Sequence, residues 1–459
     1  MRHLRVRRQH GVTLVELMIA MVLGMLVAAG IITVFISTSN SNKSQTQLAR
    51  LQEEGRFAIT RLSADLRMAN GQYCTNTGGV AQPGDGGPYL DHLLAPKVYA
   101  RNLIGLVAGA SSGALGDVTT VWNKTSGAES YPVVPTAAYS MPSFLFMRGY
   151  DCALTACTPV DPSTAGIPPL GRTLGSRIKG TDVITVRYVD PSSGWAIGGR
   201  GSTINQISTD GSVSSIILNP QVGEPPRSDF ASGDLVMLAD CSGSQIFAAN
   251  YAAASGTLTL PSDENFDESH PAAPRKESAA KIFDVNRNLQ TVTYYLKLVS
   301  VNNDGKPPLT GALIRRVNGG LKSDGSASQS GASEDELVRG IERMDFRYGV
   351  EDADGNTRFL TAQQIDASTS CPPAEIDAIT AAGCLWRGIK SVEVSVLMDG
   401  QVPLYSLGEG ELGYVYGIDK ITQPTMPEGH PIRPSDQGFV DQMLRREFTA
   451  LVSVRNYNP

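Results

Sequence analysis

Glu16 stands in RRQHGVTLVELMIAMVLGMLVAAGIITVFI, five positions after Gly11, where a basic cluster leads through the glycine into a long apolar run. A carboxylate in a membrane helix costs on the order of 2.5–3.5 kcal/mol near the centre and less at the edge, where Glu16 falls. Taken alone, it reads as a membrane-edge glutamate reaching the headgroups, or as a charge kept for a partner. Other candidates for chemistry are weaker. Gly109-Ala110-Ser111-Ser112-Gly113 fits the GxSxG pattern of a nucleophilic serine, which needs a strand before it, a helix after it, and a histidine and an acid. Here it lies in a Gly/Ser/Ala run and reads as a loop. His92, His270 and His430 belong to no motif and are too scattered for a metal, so they read as surface positions. Asp352, Asp354 and Asn356 surround Gly355 as in a calcium loop. The EF-hand pattern places its glutamate six positions after the glycine, and Thr361 stands there. A hairpin turn is the reading, with a weak calcium site as the alternative. Asp263, Glu264, Asp267 and Glu268 read as a solvated acidic loop. No catalytic constellation results, so neither an enzyme nor a cofactor is expected.

Six cysteines, an even count without a CxxC pair, suit disulfides better than zinc or redox work. The local pairs are Cys152 with Cys157, and Cys371 with Cys384 across Pro372 and Pro373. Cys74 with Cys241 would then form a long-range staple. Free buried thiols are the alternative.

These residues must be positioned by a chain of 459 residues, long enough to bury a large core. It is 18% charged and 41% apolar, which is a globular balance rather than a disordered one. The 47 glycines and 27 prolines favour turns and short strands over a helical bundle. Residues 1–11 carry Arg2, Arg5, Arg7 and Arg8 and no acid, so the remaining 35 basic and 45 acidic side chains leave a net charge of −10. A body this acidic is a poor partner for nucleic acid.

From Leu17 to Ile36, 20 residues carry no formal charge. As a helix they span about 30 Å, the thickness of a bilayer's hydrocarbon core. The arginines precede them, so the N-terminus is expected in the cytoplasm and the body outside it. No proline lies between Val12 and Asn70, and Leu51, Gly55, Ala58, Leu62, Leu66 and Ala69 recur at spacings of three and four. That pattern predicts one helix from about Val12 to Asn70, apolar all round in its first half and amphipathic in its second. Arg50, Glu54, Arg61 and Asp65 lie off the apolar stripe.

The combination of basic residues, Gly11, Glu16 and a 20-residue apolar run resembles the class III signal of type IV pilins and pseudopilins. The resemblance implies cleavage by a prepilin peptidase between Gly11 and Val12, and N-methylation of Val12. The family usually has phenylalanine where Val12 stands. Cleavage would create an α-amine at Val12 that Glu16 of a neighbouring subunit can neutralise, since two lone charges are costly in an apolar core while a pair is tolerable.

Beyond Asn70 the period changes from 3.6 to 2. Strands are predicted over 182–189, 215–219, 233–240, 290–301, 311–317, 341–350, 389–398 and 448–456, with Asn303-Asp304-Gly305 as a hairpin tip. Residues 101–181 and 322–336 read as loops or insertions. The expected fold is α+β: a long N-terminal helix packed on an antiparallel sheet, with an enlarged β-rich head. The expected organisation is a leader over 1–11, a membrane or filament-core helix over 12–36, its amphipathic continuation over 37–70, and a head over 71–459.

GIERMDFRYGVEDADGNTRF (340–359), WRGIKSVEVSVLM (386–398) and RREFTALVSVRN (445–456) resemble the closing blocks of PilW-type minor pilins. J-type minor pseudopilins of type II secretion share similar text. The resemblance implies a low-copy subunit, anchored in the inner membrane before assembly and carried on the pilus at the cell surface afterwards. It also implies priming of assembly and a place at the tip. Implied partners are other minor pilins, the major pilin and the prepilin peptidase, with a large tip adhesin as a further candidate. A head of nearly 390 residues is hard to repeat along a thin filament and fits easily at an end.

Overall fold

In the computed structural model one α-helix runs from Leu14 to Met68, 55 residues and about 80 Å long. The structure describes residues 12–71, 73, 96–101, 103, 125–126, 129–130, 135–162, 167–207, 209–240, 243–266, 271–274, 278–321, 326, 331–351, 356–368, 383–405 and 407–454. The helix starts at a capping box. Thr13 Oγ1 accepts from the Glu16 backbone N–H, and the Glu16 carboxylate accepts from the Thr13 N–H. This satisfies two of the donors that a helix start leaves open. The helix stops where Asn70 turns left-handed at φ 62°, and the Asn70 N–H donates to the Arg187 carbonyl at 2.9 Å.

The head is built on antiparallel sheets, and all eight predicted strands are present. The first sheet runs Ser333–Arg339, Leu309–Val317, Leu289–Ser300, Val183–Val189, Met147–Cys152 and Cys157–Thr158. The second runs Thr357–Leu360, Ile341–Glu351, Ser391–Asp399 and Arg445–Ser453. Asn303-Asp304-Gly305 does form the tip between the paired strands Leu289–Ser300 and Leu309–Val317. Asp304 Oδ1 holds that tip by accepting from Ser300 Oγ and the Lys306 N–H.

Asp182 bridges the two sheets, accepting from the Cys152 N–H at 2.9 Å and the Phe346 N–H at 3.1 Å. The helix lies across both sheets, and its predicted stripe of Leu51, Gly55, Ala58, Leu62, Leu66 and Ala69 is buried throughout. A further sheet, which includes Asp234–Ala239, Ser244–Ala252 and Lys281–Asp284, forms a lobe. This lobe has its own core around Trp195, Phe230, Val236, Phe247 and Ile282.

Two stretches read as loops contain paired strands. Met147–Cys152 pairs with Val183–Val189, and Ser333–Arg339 pairs with Leu309–Val317. Neither shows clean alternation: the first is buried at nearly every position, and the second is an edge strand rich in acids. Cys152 and Cys157 are joined by a disulfide across a Cα separation of 4.0 Å. Cys384 is also disulfide-bonded. Cys74, Cys241 and Cys371 lie outside the described residues.

The stripe carries the union of helix and head. Leu62→Ala is expected to destabilise the chain by about 2–5 kcal/mol. Gln52→Ala, on the exposed face, should stay within about 0.5 kcal/mol. Denaturant unfolding of the full chain in detergent compares the two, and equal midpoints would show that the stripe does not hold the helix.

Candidate assembly helix and its anchorage

The two halves of the helix differ in what they touch. Every residue from Val12 to Thr38 is exposed, including Val12 and Phe35 at 72% each. This apolar half touches little else of the chain and is long and apolar enough to cross a membrane. Glu16 stands near its start, and its Oε2 takes both Thr13 donors at 3.0 Å. The carboxylate is therefore not lone in the single subunit. Thr-x-x-Glu before an apolar run is the sequence signature of this arrangement.

The second half is fastened by polar contacts as well as by its stripe. Asp65 was expected off the apolar stripe, yet it is 8% exposed. It accepts from Tyr188 Oη at 2.9 Å, Tyr294 Oη at 2.6 Å and Arg315 Nε at 2.7 Å. Those donors come from three adjacent strands, and Tyr294 and Arg315 are cross-strand partners. Burial pushes the Asp65 carboxyl up, but the Arg315, Tyr294 and Tyr188 hydrogen bonds outweigh it and hold the group below its ordinary value. One turn on from Leu51, the outer edge of the Phe448 ring reaches Gly55, where a Cβ would come within 2.6 Å of it.

Nearer the apolar half, the loop of residues 400–405 grips the helix. Gln47 Nε2 donates to the Val402 carbonyl at 3.0 Å, and Gln401 Nε2 donates to Glu54 Oε2 at 2.9 Å. The Gln401 N–H is held by Asp399 Oδ1 at 2.6 Å. Burial, with Glu342 adding to it, pushes Asp399 up to about 7.

Among the described residues no group of three or more His, Cys, Asp or Glu side chains could hold a metal. Asn356 is exposed, and Asp352 and Asp354 lie outside the described residues, as do Gly109 to Gly113, His92 and His270. His430, read as a surface position, is instead buried. Its ring stacks on Tyr414 at 3.8 Å, with Nδ1 3.1 Å from Asp419 and Nε2 3.3 Å from the Thr425 carbonyl. Tyr414, Asp419 and Thr425, all within 16 residues of it, enclose the ring, which hydrophobic period alone does not reveal.

An exposed apolar half-helix with an acid near its start is thus continuous with a half buried on a β-rich head. Two family models match this chain. Residues 6–32 match the prokaryotic N-terminal methylation motif. Residues 293–456 match type IV pilus-assembly protein W. No curated protein and no solved structure matches. The PilW match takes in the second sheet, most of the strand bearing Tyr294, and the strand bearing Arg315. The lobe around Trp195 lies outside it. The two matches support a minor-pilin role in a type IV pilus, with membrane anchoring through the helix.

Asp65→Asn is expected to destabilise the chain at pH 7 by on the order of 3 kcal/mol, because Arg315 and two tyrosines lose a buried anionic partner. Asp65 titrates lower folded than unfolded, so its contribution is complete above the ordinary aspartate value of 3.8. It is lost as pH falls through the folded-state value below that. The gap between wild type and Asp65→Asn in urea midpoints should therefore close only in acid. A gap independent of pH would remove the charge from the account.

Proposed function

We propose that this protein is a non-catalytic minor pilin that helps prime assembly of a type IV pilus and sits at or near its tip. The supporting observation is the continuity of the helix: its unpartnered apolar half and its head-bound half are one rigid element. In this reading residues 1–11 are removed between Gly11 and Val12, and Val12 is N-methylated. Residues 12–36 serve as membrane anchor and then as filament core. Residues 37–70 carry the head of residues 71–459. The prepilin peptidase, other minor pilins and the major pilin are the partners.

Glu16 is the assembly group. Its Oε2 is occupied by Thr13, and among the described residues Oε1 accepts no hydrogen bond. The α-amine of a neighbour's Val12 is the cation proposed to reach it. Pairing the two removes the cost of holding either charge alone in an apolar core. A second reading is favoured by the lobe around Trp195. It has a core of its own and lies outside the PilW match, as a tip-borne binding or adhesion module would. A minor pseudopilin of type II secretion is the reading to be excluded.

A clean deletion, complemented with wild type or Glu16→Gln, tests this by scoring surface pili and exported proteins together. Glutamine keeps the capping box, so the variant removes the charge without unravelling the helix start. Loss of pili with normal secretion, and no rescue by a Glu16→Gln chain that is still cleaved, is the expected result. Normal pili with exported proteins trapped would move the chain to the secretion machine. Full rescue by Glu16→Gln would end the charge-pairing account.

A further inference from the structure

We infer that the cleft between the helix and the loop of residues 400–405 is a phospholipid-headgroup site that seats the head on the membrane leaflet it faces. The inference rests on the membrane anchoring of the helix proposed above. The cleft encloses about 940 Å³, and Phe35 and Thr38 wall it on the side where the uncharged run ends. Val402 and Tyr405 share the cleft and are 51% and 82% exposed. Lys43 lines it, as does Arg50, whose Nε is paired with Glu54 Oε1 at 2.8 Å.

Three arguments converge on lipid. The first is continuity. The hydrocarbon core is about 30 Å thick within a bilayer of about 40–45 Å, so headgroups occupy the several ångströms beyond Ile36. The cleft begins at Phe35 and therefore opens into that layer. The second is chemistry. A tyrosine with an apolar body and a polar tip is suited to the headgroup level, and the Lys43 ammonium suits a phosphate.

The third is rigidity. The loop cannot fold its apolar groups away, because it is tied at four points. Gln47 holds Val402, and Glu54 holds Gln401. The Gly400 N–H donates to the Leu444 carbonyl at 3.0 Å, and the Leu404 N–H donates to the Gln442 carbonyl at 2.9 Å. A side chain at Gly400 would collide with Gln47 Oε1 at 2.3 Å, so the close approach of loop and helix is built in. An apolar pair presented on so fixed a frame, next to a membrane-spanning segment, is placed for an interface.

An introduced thiol carries a nitroxide, and wild type taken through the same labelling is the blank, because Cys74, Cys241 and Cys371 lie outside the described residues. Tyr405→Cys, Leu23→Cys in the span and Val222→Cys on the fully exposed far lobe are each labelled. The full chain is then reconstituted in phosphatidylethanolamine–phosphatidylglycerol vesicles. Collisions with oxygen and with a nickel chelate report depth. Nickel accessibility at 405 should fall below half of that at 222, with the label at 23 deeper still. Lys43→Glu should return position 405 toward the aqueous value.

A label at 23 inside the bilayer with 405 as aqueous as 222 would overturn the headgroup site and leave the anchor standing. An aqueous label at 23 would overturn both. Shielding of 405 only after the major pilin is added would assign the cleft to a neighbouring subunit and overturn the lipid proposal.

Discussion

Everything in this structure depends on one helix being buried along a stripe in its second half and nowhere in its first. The stripe holds because residues at spacings of three and four present small and large apolar groups in turn to two sheets at once. Gly55 admits the Phe448 ring, and Ala58, Leu62 and Leu66 are fully buried. Apolar burial of this kind has no direction of its own. Asp65 supplies it. A carboxylate held by donors from three adjacent strands fixes the rotation and height of the helix, since a shift by one residue would bury that charge against apolar groups.

That anchorage lets the first half remain unsatisfied. A free helix of about 25 apolar residues would be driven to collapse onto its own head. A helix clamped rigidly at its other end projects instead and keeps the apolar surface for lipid or for neighbouring helices. Glu16 suits the same design. In the single subunit its carboxylate closes the helix start with Thr13, so the group has a local partner before any neighbour arrives. Its placement therefore serves the folded monomer as well as the proposed assembly.

The head uses buried charge in the same way as Asp65. Arg445 and Glu342 pair with no exposure, and Arg343 links Asp345 to Asp419, which in turn meets His430. Such pairs add little net stability over apolar packing, but breaking one is costly, so they specify where a segment docks. Here they tie Asp419 and Arg445 to the start of the strand Ile341–Glu351. The 400–405 loop is tied in turn by Gln47 and Glu54 of the helix and by the Leu444 and Gln442 carbonyls.

Local pattern was enough for the long helix, its apolar stripe, the eight strands and the hairpin tip at Asp304, because hydrophobic period and turn chemistry are properties of neighbouring residues. The charges around Gly11 and Glu16 were legible for the same reason, and so was the closeness of Cys152 to Cys157. Other features were decided only by tertiary structure. The Met147–Cys152 strand is buried on both faces and so lacks the alternation that marks a half-buried one. Asp65 is a polar side chain whose burial depends on donors from distant strands, and His430 one whose burial depends on Tyr414, Asp419 and Thr425. The lobe around Trp195 gathers strands whose mutual packing no local pattern encodes. Period and spacing describe what a segment can bury. Which surface it meets depends on contacts between residues hundreds of positions apart, and only the folded chain brings those together.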